Sequence, residues 1–111
     1  MTGQTYDLGN GHSYHFIVGD TRYWPDTYGM IENHDDGIQT CVTGIIEAHT
    51  KPDGRACEGY VGFVRPKNPS EYEAARGIWT VHSLDPLDLD PSVQCACGVH
   101  GWIRRGAWVD A

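Results

Sequence analysis

Between Tyr6 and Val18 the chain alternates apolar or β-favouring residues with polar ones on both sides of Gly9-Asn10-Gly11. Glycines accept the positive φ angles of a tight turn, so this stretch predicts a first β-hairpin. Ile38 to His49 and Tyr60 to Val64 predict two further strands, separated by Thr50 to Arg55, where Pro52-Asp53-Gly54 supplies turn chemistry. They form a second hairpin. Ile78 to Leu84 alternates again, with Ile78, Thr80 and His82 on one face and Trp79, Val81 and Ser83 on the other. After a Pro-rich connector from Asp85 to Pro91, Trp102 to Val109 folds back around Arg104-Arg105-Gly106 as a closing hairpin. Asp20 to Gly37 has no regular period and reads as a long loop whose aromatic residues cap one edge of the core.

One segment carries a helix signature. Ser70 can accept from the backbone N–H three residues on while Glu73 reaches back to the Ser70 N–H, and Gly77 suits the left-handed residue that closes a helix. The pattern predicts about two turns over residues 70–76. The fold class expected is therefore mainly β: one domain over residues 1–111, an antiparallel sheet built from hairpins as a sandwich or partly open barrel, with one short helix.

Composition narrows the function. The formal charge is -7, with only eight Lys and Arg, which argues against general nucleic-acid binding because phosphates call for a cationic surface. Arg104-Arg105 reads as solvated turn surface. There is no apolar run long enough to span a bilayer. The first residues show neither a basic n-region nor an apolar h-region, so the expectation is a reducing cytoplasm in which thiols stay reduced or bind metal.

The chemistry concentrates in Cys95-Ala96-Cys97-Gly98-Val99-His100, two thiols and an imidazole within six residues. Thiolates with a neutral imidazole suit Zn²⁺, and Gly98 allows the backbone to turn. The alternative is a strand whose two cysteines simply pack inward. As ligands, Cys97 and His100 lead and Cys95 is the third. For the fourth, His82 is preferred because its strand leads into the connector that returns to the site, with Cys57, Cys41 and His49 as the other choices. Cys41 opens an apolar run and suits a small core residue. Such a zinc would be structural, and a metal in a chain of this size would add usefully to a modest core.

The last third of the chain supports the same reading by resemblance. Trp79 to Pro86, Pro91-Ser92-Val93, Cys97-Gly98-Val99-His100-Gly101 and the Gly106 turn into a last strand resemble a family of small uncharacterised phage and bacterial proteins regarded as metal-binding. The family's pattern spaces its cysteines two residues apart, whereas one residue separates Cys95 from Cys97, so the resemblance speaks for Cys97 and His100 before Cys95. It implies a metal and a phage-type origin, in the cytoplasm of an infected host or in the virion, and it names no activity.

No complete catalytic motif is present. The acidic groups Glu32, Asp35, Asp36 and Asp85, Asp88, Asp90 read as solvated turns, and His34-Asp35-Asp36 lacks the frame a hard cation requires. The expectation is an interaction module or accessory protein with a host or phage protein as partner, engaged through Tyr23, Trp24 and Tyr28. The alternative is a metal-dependent hydrolase with an open zinc position.

Overall fold

The structure, a computed structural model, describes residues 3–25 and 31–111. Its elements in chain order are β1 (Tyr6–Gly9), β2 (His12–Asp20), β3 (Ile31–Asn33), β4 (Gln39–Thr50), β5 (Ala56–Gly62), α1 (Glu71–Ala75), β6 (Thr80–Leu84), β7 (Leu87–Asp90), β8 (Val93–Gln94), β9 (His100–Arg104) and β10 (Ala107–Asp110). The mainly β, antiparallel class is as the hydrophobic pattern predicts. A curled sheet runs β1-β2-β4-β3, with β5 also on β4; β10-β9-β8 and β6-β7 make smaller sheets.

The hairpins form where the turn residues require them. Gly9, Asn10 and Gly11 all have positive φ between β1 and β2, and Arg105 and Gly106 do so between β9 and β10. Two consecutive residues at positive φ match the right-handed twist of the flanking strands. The long strand β4 is the spine, pairing with β2 on one side and with β3 and β5 on the other. Its residues Ile45, Glu47 and His49 are buried. Ile45 lies opposite Phe16 and Val61, so one face of the curled sheet supplies much of the core together with Phe63, Leu87, Leu89, Ile103 and Trp108.

The helix is capped as expected. Ser70 accepts from the Glu73 N–H, and the Glu73 carboxylate accepts from the Ser70 N–H. Gly77 is not the left-handed terminator, because the helix closes one residue earlier with Arg76 extended and its N–H on the Tyr72 carbonyl. Two further differences have clear causes. The Asp85 to Pro91 connector contains β7, whose Leu87 and Leu89 are fully buried; Leu-Asp-Leu-Asp is a period-2 pattern that the flanking prolines obscure. The long loop contains β3, which adds three residues to the start of β4.

Candidate metal centre

Period-2 alternation puts His12, Tyr14 and Phe16 of β2 on the buried face of the sheet, beside Ile45, Glu47 and His49 of β4. The β4–β5 register then sets Cys57 directly opposite His49, so the two side chains share that face. Across it lies the loop between β8 and β9. Its backbone turns tightly, with the Gly98 N–H on the Cys95 carbonyl and the Cys95 N–H on the Val99 carbonyl, and Gly98 at a φ of 97°. This turn delivers Cys95 and Cys97 together onto the row formed by His49 and Cys57.

The four ligand atoms of His49, Cys57, Cys95 and Cys97 all lie within 4.8 Å of one another. Cys57 Sγ is 3.5 Å from Cys95 Sγ, and His49 Nε2 is 3.2 Å from Cys97 Sγ. A tetrahedral zinc with Zn–S bonds of about 2.3 Å and a Zn–N bond of about 2.0 Å has S···S edges near 3.8 Å and S···N edges near 3.5 Å. The Cys57–Cys95 and His49–Cys97 separations fall within a few tenths of an ångström of these, and every other pair lies within 4.8 Å. The donor set therefore fits a single metal ion held by three thiolates and one imidazole, and the identity of the ion is open to any metal that favours such soft donors.

Behind the cluster stands a buried polar chain. Glu47 accepts from His49 Nδ1 at 2.7 Å on one oxygen and from His12 Nδ1 at 2.5 Å on the other. All three residues are buried, and the His12 ring stacks on Trp108 with centroids 3.8 Å apart. His12, Glu47 and His49 are themselves close enough to make a second grouping of possible metal donors. In the structure both Glu47 oxygens are taken up by the Nδ1 atoms of the two histidines.

The thiols differ in acidity for stated reasons. The Cys97 backbone N–H, first, and the side chains of Cys97 and Cys57 hold the Cys95 thiol below its ordinary range. The hydrogen bond from Cys57 to Cys95, then burial and Cys97, push the Cys57 thiol up to about 11. Burial opposes a charge on His49, yet its hydrogen bonds to Cys97 and Glu47 outweigh it and raise its pKa. A bound cation would remove this difference, since each coordinated thiol is deprotonated outright.

The sequence-expected ligands divide. Cys95 and Cys97 enter the cluster; His100 and His82 are not brought to it. β9 buries Gly101 and Ile103, which turns His100 to the other face, where its Nε2 lies 2.8 Å from Ser92 Oγ. His82 sits at the irregular step of β6, half exposed, with Nε2 2.6 Å from Asp90. Arg104, first, and His82 hold the Asp90 carboxyl down to about 2. The remaining places are filled by His49 and Cys57, two of the three other choices. Cys41 is buried in the sheet interior, away from the cluster. Of the aromatic residues in the 20–37 segment, Trp24 packs against the core over Gly19 and Tyr23 is exposed; Tyr28 lies outside the described residues. His34 and Asp36 bond within their own turn, to Thr40 and to the Ile38 N–H.

No helix among the described residues is long and apolar enough to cross a membrane. No family model matches the chain, and no solved structure matches it. Among curated proteins the chain is similar to "Putative diflavin flavoprotein A 3" of Nostoc sp., with 36% identity over 39 residues. That stretch is 35% of this chain and 7% of the relative, so the likeness extends to neither the whole fold nor the activity of that protein.

Proposed function

We propose that this chain is a small zinc-fastened β domain that works as an interaction or accessory module, of the kind its resemblance to phage metal-binding proteins implies. The observation that carries the metal part is the convergence of His49, Cys57, Cys95 and Cys97 from β4, β5 and the β8–β9 turn on a tetrahedron-sized space. Four protein donors leave no position for water, which is the arrangement of a structural site. The ion would tie the C-terminal hairpin to the main sheet, so its binding energy would become folding energy. Function by binding rather than turnover accords with this closed site. Tyr23, which is exposed, offers an anchor for a protein partner.

Purified untagged protein from metal-replete medium should contain one zinc per chain and lose thermal stability on chelation. Metal-free protein with an unchanged melting temperature would overturn the reading. For the partner, wild type and Tyr23→Ala are compared in pull-downs of purified candidate phage and host proteins; retention of the same partner by a folded Tyr23→Ala variant would remove that residue from the account.

A second reading, a metal-dependent hydrolase, draws on the groove of about 380 Å³ lined by Ala48, His49, Ala56, Cys57 and Glu58, which opens beside two of the donors. It needs one donor to yield its place to water. Metal-dependent hydrolysis of activated ester or phosphodiester substrates would favour it; absence of turnover in the metal-loaded protein favours the structural role.

A further inference from the structure

The buried chain behind the cluster has a consequence for how the metal is held. Glu47 is a charged side chain on the core face of the spine strand, only 2% exposed, and both of its oxygens are used. An ionised carboxylate is costly to bury unless it is fully hydrogen-bonded, and here two imidazole N–H groups satisfy it. Each bond also fixes a ring. A carboxylate accepts only, so the His49 proton resides on Nδ1, and Nε2, the nitrogen facing Cys97, is left with its lone pair for a metal. His12 holds the far oxygen and is itself held flat against Trp108 of β10.

We propose that Glu47 is the positioning residue of the metal centre: it locks His49 as an Nε2 donor, with His12 as the group that locks Glu47. This rests on the metal reading above and assigns the acidic residue and the first-hairpin histidine a role in that same site. Outer-sphere partners of this kind orient the ligand ring and raise its basicity, and losing one weakens metal affinity about ten- to hundredfold. The same three residues could instead make a second ion site, sharing His49. The geometry favours the positioning role, because both short contacts are already complete hydrogen bonds that an inserted ion would have to break.

The test begins on wild-type protein loaded with zinc, where long-range ¹H–¹⁵N NMR reads the tautomer of each imidazole. The expected result is His49 protonated at Nδ1 and metal-bound through Nε2; a metal-bound Nδ1 would overturn the proposal whatever any variant does. Competition with a chromophoric chelator then compares Glu47→Gln and His12→Phe with wild type. Phe keeps the stacking surface on Trp108 and removes only the donor. The dissociation constant for zinc should rise ten- to hundredfold for Glu47→Gln and by a smaller factor for His12→Phe, while cobalt-substituted samples keep the absorption of a tetrahedral three-sulfur site. Unchanged zinc affinity in Glu47→Gln would overturn it, as would a second equivalent of bound zinc that His12→Phe abolishes. Failure of wild type to bind any metal would instead overturn the metal reading itself, a result distinct from all of these.

Discussion

Replacing His49 and His100 separately by Ala separates the candidate centre formed by His49, Cys57, Cys95 and Cys97 from the one the local Cys-x-Cys-x-x-His spacing suggests. His49→Ala removes a donor and leaves the buried Glu47 Oε2 without its partner. The orphaned acceptor costs about 1–3 kcal/mol. A hundredfold loss of metal affinity at saturating zinc adds about 2.7 kcal/mol by linkage. The sum is roughly 4–6 kcal/mol, a large part of the stability of a domain this size. His100→Ala removes one hydrogen bond, to Ser92 Oγ, in a half-buried position, for about 0.5–1.5 kcal/mol. At roughly 5 °C per kcal/mol, the melting temperature should fall by about 20 °C or more for His49→Ala and about 5 °C for His100→Ala. Thermal unfolding followed by circular dichroism, with free zinc and again with excess chelator, reads both. Under chelation the gap between wild type and His49→Ala should narrow to about 1–3 kcal/mol, the part owed to Glu47, while the His100→Ala gap stays as it was. The reasoning fails if His100→Ala loses zinc and His49→Ala keeps it.

Two further outcomes test the sheet. A Cβ at Gly44 would sit 2.5 Å from the Val61 carbonyl oxygen, so Gly44→Ala should force β4 and β5 apart and cost about 1–3 kcal/mol in urea denaturation; a value near zero would mean the strands are not packed as described. Burial, and then the charges of Tyr6 and Asp85, push the Tyr14 hydroxyl from 10.0 up to about 12. The native state thus keeps a proton that the unfolded chain gives up, and stability that is complete below pH 10 falls as the pH rises toward 12. Tyr14→Phe should flatten that part of the melting-temperature profile, and an unaltered profile would refute the assignment.

Much of the fold was legible because its signals are local. Gly9-Asn10-Gly11, Pro52-Asp53-Gly54 and Arg105-Gly106 fix three turns, and the Ser70 and Glu73 pair fixes the start of the helix. β7 was harder to see, since the prolines at 86 and 91 mask a four-residue alternation whose two leucines reach the core only through tertiary packing. The candidate metal centre was half legible. Cys95 and Cys97 stand out because they are neighbours in sequence, whereas His49 and Cys57 meet through strand register, which proximity along the chain does not reveal. A register argument could have found them: a turn centred on Asp53 that pairs Thr50 with Ala56 also pairs His49 with Cys57. Glu47 two residues before His49, on the buried side of an apolar strand, was the second signal. His100 misleads because its distance in sequence from Cys97 is right for chelation, but β9 needs Gly101 and Ile103 inward, and alternation carries His100 outward.

The most direct test of the central claim is X-ray absorption at the zinc edge of the purified protein. The proposed zinc site requires one zinc per chain with three sulfur neighbours at about 2.3 Å and one nitrogen at about 2.0 Å, from Cys57, Cys95, Cys97 and His49. A shell of two sulfurs and two nitrogens, the set that Cys95, Cys97, His100 and His82 would make, or a protein that holds no metal, would contradict it.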